Sequence, residues 1–171
     1  MVKKKLAYRA FRIARWIIKL FYIKFRVEGE ENLLDEPSII VANHTQMNGP
    51  LACEFYFPGK RLIWCASEMM ELRKVPSYAF EDFWSKKAKW THPFYKTLSY
   101  IIAPLSVLIF NNAKTIPVYR GGKVAATFKT TVKALKEGKN VIIFPEHNEK
   151  YNDVIYDFQD KFIDIARLYY K

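Results

Sequence analysis

Cysteine is scarce in this chain. Cys53 and Cys65 are the whole supply in 171 residues, too few for a disulfide framework and suited to a reduced, cytosolic setting. Long apolar runs are also missing. No stretch of 18 uncharged apolar residues occurs, which argues against a conventional membrane span. The nearest approach, Leu98–Phe110, is 13 residues long with Pro104 inside it, and reads as a buried or re-entrant helix. Glycine contributes six residues, which form neither a Walker loop nor a G-x-G-x-x-G cradle; Gly121-Gly122 is a pair and nothing more. The three histidines, His44, His92 and His147, match no zinc spacing, so no metal site is expected. No internal repeat or low-complexity segment is present.

Acidic residues are absent from the start of the chain, and that absence locates its charge. Net charge is +11, from 28 basic and 17 acidic side chains. Residues 1–26 hold nine of the basic ones (Lys3, Lys4, Lys5, Arg9, Arg12, Arg15, Lys19, Lys24, Arg26) and no acidic one, leaving 19 basic against 17 acidic elsewhere. The cations recur every three or four residues, with no clean apolar core or small-residue cleavage site, unlike a signal peptide. As a helix, this segment gathers Leu6, Ala10, Ile13, Ile17 and Leu20 on one stripe, widened by Ala7, Phe11, Ala14, Ile18 and Phe21. Lys5, Arg9, Arg12, Arg15 and Lys19 fall on the other side, and Trp16, Phe21 and Tyr22 suit a headgroup boundary. Residues 1–27 are therefore expected to form a basic amphipathic helix on a membrane surface with anionic lipids, where each cation contributes ~1 kcal/mol. A plainer reading packs the helix on its own domain with a solvated basic face. Nucleic acid is an unlikely partner, because no RNA- or DNA-binding motif accompanies the charge.

From residue 28 onward, short β-branched runs alternate with helical patterns. Strands are expected at Ser38–Ala42, Arg61–Ala66, Lys114–Tyr119 and Asn140–Phe144. Helices are expected at Pro50–Phe57, with Asn48 as cap, at Val124–Glu137, stopped by Gly138, and at Phe158–Tyr170. Residues 68–110 read as helices broken at Pro76, Pro93 and Pro104, with a basic-aromatic patch Lys86-Lys87-Ala88-Lys89-Trp90 between them. Such alternation predicts an α/β layered fold with a mostly parallel sheet. A chain of this length, half of it apolar, can bury one good core.

Two strand ends carry chemistry. After the first strand comes Ala42-Asn43-His44-Thr45-Gln46-Met47-Asn48-Gly49-Pro50, placing an imidazole, the side chain that titrates nearest neutrality, at the rim of the sheet. After the last strand comes Phe144-Pro145-Glu146-His147. Between them, Thr115-Ile116-Pro117-Val118-Tyr119-Arg120 runs into Gly121-Gly122, where a guanidinium fork and an approachable backbone suit a phosphate. Taken singly, each has a bland reading: a strand-end histidine bonded to a carbonyl, a surface Arg in a glycine turn, a solvated loop carboxylate.

In their order and spacing, these blocks resemble the glycerolipid acyltransferases of the 1-acylglycerol-3-phosphate acyltransferase type, over residues 28–171. Asn43-His44 matches the family's first block, but Gly49 stands where the family has Asp. Arg120 holds the phosphate-binding position of the second. Phe144-Pro145-Glu146 matches the third, where His147, Asn148 and Glu149 replace Gly, Thr and Arg. The chain ends at Lys171 before the fourth block, so the 28–171 domain is expected to be incomplete at its C-terminal end, with a sheet short of a strand. The resemblance implies a glycerolipid-acyltransferase-like fold on the cytoplasmic face of the membrane, peripheral or monotopic. It implies transfer of an acyl chain from acyl-CoA or acyl-carrier protein, as co-substrate and with no cofactor, to a glycerophosphate or lysophospholipid hydroxyl. His44 would be the base and Asn48, Glu54 or Glu146 would stand in for the missing Asp. Asn43, Arg120, Glu146, His147 and Lys150 would contact substrate. The changes at Gly49 and in the third block equally suit an inactive lipid- or membrane-binding relative.

Overall fold

The computed structural model describes residues 2–45, 47–146 and 159–170. It is an α/β structure whose four parallel strands run in the order β1-β4-β2-β3. The strands are β1 (Ile39–Val41), β2 (Arg61–Ala66), β3 (Thr115–Val118) and β4 (Asn140–Ile143). The helices are α1 (Val2–Phe21), α2 (Asn48–Tyr56), α3 (Val75–Ala79), α4 (His92–Asn112), α5 (Val124–Lys136) and α6 (Asp164–Tyr169). Two compact units result: residues 1–22 with 65–117, and residues 23–64 with 118–171.

The second unit holds the centre of the sheet. Ile39, Ile40 and Val41 of β1 pair with Val141, Ile142 and Ile143 of β4, and Leu62 and Ile63 of β2 pair with Val141 and Ile142 on its other side. Flanked on both edges, β4 is a buried strand, and its run Val141-Ile142-Ile143 is fully enclosed. Helix α5 covers the sheet with Thr127, Thr131, Ala134 and Leu135 buried. The Trp64 indole N–H donates to Thr131 Oγ1 at 3.0 Å, so the buried hydroxyl is satisfied. Gly138, at φ 77°, ends α5 as its sequence position predicts: its N–H bonds Leu135 O and the Lys139 N–H bonds Ala134 O.

The first unit packs α3 and α4 around Met69, Val75, Ala79 and Ala103, bordered by Cys65, Tyr78, Phe83, Trp84, Val107 and Phe110. The expected break at Pro104 does not occur: α4 runs through it for 21 residues. Proline costs the helix the bond to the Tyr100 carbonyl, and Pro104 lies on the exposed side of α4, away from its packed face. Pro76 and Pro93 sit in the first turns of α3 and α4, where a missing N–H removes nothing. Nor is Leu98–Phe110 simply buried. Lys89–Asn112 is long and apolar enough to cross a membrane, by length and composition, yet little of it is enclosed.

Helix α1 packs against α4 within this unit. Ala7, Phe11, Ala14 and Ile18, from the flank of the expected stripe, turn inward, Phe11 being only 6% exposed, whereas Phe21 of the same flank is 83% exposed. Of the stripe itself, Leu6, Ile13, Ile17 and Leu20 stay in solvent and Ala10 is half-buried. The plainer reading thus holds for one edge of the helix and not for its centre.

Two smaller expectations are corrected. Asn48 is the first residue of α2 rather than its cap, and Met47 holds the cap position without a side-chain bond. The closing helix starts later than Phe158: α6 begins at Asp164, after a 3-10 turn at Asp160–Ile163.

Candidate active site

Because the strands are parallel, the segments that follow β1, β3 and β4 leave the sheet along one edge, where α/β folds place their ligands. Adjacency of β1 and β4 then brings the first and third blocks together. The Ala42 N–H continues the ladder to Ile143 O at 3.0 Å. One step on, the His44 backbone N–H donates to Glu146 Oε1 at 3.2 Å. The His44 ring stands edge-on to Phe144, with ring centroids 5.2 Å apart. His44 is exposed, Glu146 half-buried and Pro145 buried, so a solvent-facing imidazole sits on a fixed floor.

The turn carrying His44 is built by its neighbours. The Asn43 carboxamide oxygen accepts both the Thr45 N–H and the Thr45 hydroxyl, each at 2.9 Å. That clamp holds Thr45 at φ 40°, a left-handed conformation that costs a β-branched residue ~1–2 kcal/mol. The chain then doubles back: the Gly49 N–H bonds His44 O at 3.1 Å and the Asn48 N–H bonds Thr45 O at 3.1 Å.

Gly49 is tightly enclosed by this turn. A Cβ there would overlap the Asn43 carbonyl oxygen and lie 2.7 Å from the His44 carbonyl oxygen, both backbone atoms. The turn requires glycine, so an aspartate cannot be restored at this position without rebuilding the backbone.

Of the three groups considered as substitutes for that aspartate, Glu146 is bonded to His44, through the main chain. The Glu54 carboxylate lies 3.4 Å from Arg61 Nη2, an ion pair largely shielded from solvent, and the same guanidinium donates to the Glu54 carbonyl. Asn48 lies in the first turn of α2, exposed. Arg120 is exposed two residues past β3, followed by Gly121 at φ 63° and α5. Its loop is anchored by the Tyr119 N–H, which donates to Thr127 Oγ1 at 3.0 Å. His147 and Lys150 lie outside the described residues.

Sequence reasoning missed Phe144 and Thr45. Phe144 stood inside the third block, where its aromatic character could have suggested a wall for the imidazole. Thr45 gave no signal, since nothing in its residue type announces a positive φ.

Burial shapes the chemistry of both thiols. Enclosure pushes Cys65 up to about 12, with the Glu68 carboxylate adding to the rise. Cys53 is also raised by burial, against the opposing pull of Arg61. Neither favours a thiolate nucleophile at neutral pH.

No protein family, curated protein or solved structure matches this chain.

Proposed function

We propose that the chain is an acyltransferase of phospholipid biosynthesis, acting from the cytoplasmic membrane surface with a glycerolipid-acyltransferase-like fold. The supporting observation is the meeting of the two blocks: His44 and Glu146, 102 residues apart, are joined by a hydrogen bond at the carboxyl ends of adjacent parallel strands.

In this reading the His44 imidazole removes the proton from a glycerophosphate or lysophospholipid hydroxyl. The freed oxygen attacks the thioester carbonyl of acyl-CoA or acyl-carrier protein. The tetrahedral adduct collapses with loss of the thiolate, which takes the proton back from the imidazolium. Arg120, on the same edge of the sheet, supplies the phosphate contact. Glu146 supplies the negative charge beside the imidazolium that Gly49 cannot, and Asn43 acts by holding the turn.

One observation favours a second reading, an inactive lipid-binding relative: the His44 turn is closed around a glycine and has no room for the family's orienting carboxylate. Thiol release from acyl-CoA in the presence of lysophosphatidic acid decides between them. Release that needs the acceptor and falls ~10²-fold or more in His44→Ala supports the enzyme. Acceptor-independent release, or equal release by His44→Ala, excludes the proposed chemistry.

A further inference from the structure

The +11 net charge is divided very unequally between the two compact units. Residues 1–22 and 65–117 carry 14 basic and 4 acidic side chains, a net +10. Residues 23–64 and 118–171 carry 14 basic and 13 acidic, a net +1. The same first unit leaves large apolar side chains in solvent on two helices that pack on each other. On α1 these are Leu6, Ile13, Ile17 and Leu20; on α4 they are Phe94, Tyr100, Ile101 and Leu105, with Ile101 69% exposed.

Phe94, Ile101 and Leu105 share one face of α4 at steps of seven and four, with Tyr100 exposed beside it, and no charged residue occurs between Thr97 and Phe110. Its N-terminal approach is cationic and aromatic: Lys86, Lys87 and Lys89 are exposed, and Trp90 is 85% exposed. The opposite face of α4 is committed to the protein. Ser99, Ala103 and Ser106 are buried, and the Ser106 hydroxyl donates to Met69 O at 3.0 Å. A helix with one face holding the core cannot be surrounded by lipid. It can lie along a bilayer with its other face immersed.

We propose that α4 is a second membrane-docking element, inserting Phe94, Tyr100, Ile101 and Leu105 into the interface of an anionic bilayer while Lys86, Lys87 and Lys89 meet its headgroups. The occupant is a lipid surface rather than a second copy of the chain, because a unit of net charge +10 repels its own kind and is drawn to anionic lipid. This extends the membrane-surface location in the proposed function from α1 to the middle of the chain. It does not depend on acyl transfer.

The test is flotation of the full chain with phosphatidylcholine vesicles, with and without phosphatidylglycerol, comparing wild type with Ile101→Glu. Ile101 is exposed, so the variant keeps the wild-type circular dichroism and melting. Wild type should float with the anionic vesicles and sink with neutral ones, and Ile101→Glu should lower partitioning at least about tenfold. Sedimentation without lipid accompanies it. Wild type that does not float, Ile101→Glu that floats equally well, or a wild-type dimer made monomeric by Ile101→Glu would each overturn the proposal. Acyl transfer to glycerol 3-phosphate in the absence of vesicles should be the same in Ile101→Glu and wild type. Loss of that activity in wild type, with flotation intact, counts against the enzyme and leaves the docking element standing.

Discussion

The Glu146 carboxylate accepts the backbone N–H of His44 at 3.2 Å, tying the loop after β4 to the loop after β1. A carboxylate that grips the main chain of a histidine fixes where the ring is carried. The exposed His44 ring stands edge-on to Phe144. That arrangement differs from a triad, in which the acid binds the ring itself. It makes Glu146 a fastener between the two loops.

Gly49→Asp should destabilise the protein by at least about 2 kcal/mol, because the new Cβ meets two backbone carbonyls that cannot step aside as side chains do. Gly49→Ala should share most of that loss, since the conflict begins at Cβ. Chemical denaturation of both variants measures it. A Gly49→Asp protein as stable as wild type, with higher thiol release, would show that the turn opens readily.

The two edges of α1 should respond differently to truncation. Phe11→Ala removes a ring packed within its unit and should cost about 3 kcal/mol. Ile17→Ala, in the exposed stripe, should change stability by no more than about 0.5 kcal/mol while weakening vesicle binding. Equal melting temperatures for the two variants would contradict the observed packing. The same contrast makes deletion of residues 1–26 a poor test of lipid binding, because it removes part of a core as well.

Alkaline pH should weaken the fold through Cys65. Burial pushes its folded pKa up to about 12, above the 9.0 of an ordinary free thiol. Above pH 9 the unfolded state therefore releases a proton that the folded state keeps, and stability falls until the folded thiol also ionises near 12. The loss is at most about 1.4 kcal/mol per pH unit. Cys65→Ala should flatten the curve between pH 9 and 11 in denaturation experiments; an unchanged slope would assign the alkaline loss to other groups.

How far the sequence could be read depended on how local each determinant is. Strand β2 is placed at Arg61–Ala66 from sequence and found there, because Pro58-Gly59 and a short apolar run set its limits within a few residues. Gly138 likewise announces the end of α5. Pro104 misled, since whether a proline interrupts a helix depends on which side faces water, and residue type does not record that. In α1 the apolar arc is wider than one packing face needs, so the pattern could not say which part would turn inward. The pairing of β1 with β4 brings the first and third blocks into contact, a consequence of topology that strand propensities leave open. The enclosure of Gly49 depends on two carbonyl positions fixed by a bond from residue 49 back to residue 44, and only coordinates reveal it.

That enclosure has an implication for descent. A glycine left behind when a catalytic aspartate decays should tolerate other small residues and should revert by a change at one codon. Gly49 has neither freedom, because the Asn43 and His44 carbonyls and the identity of residue 49 fit only together. A chain with a carboxylate at that position needs a differently shaped loop. Passage between the two forms requires the backbone to be remade before or alongside the side chain, so residue 49 and the shape of its loop can change only together.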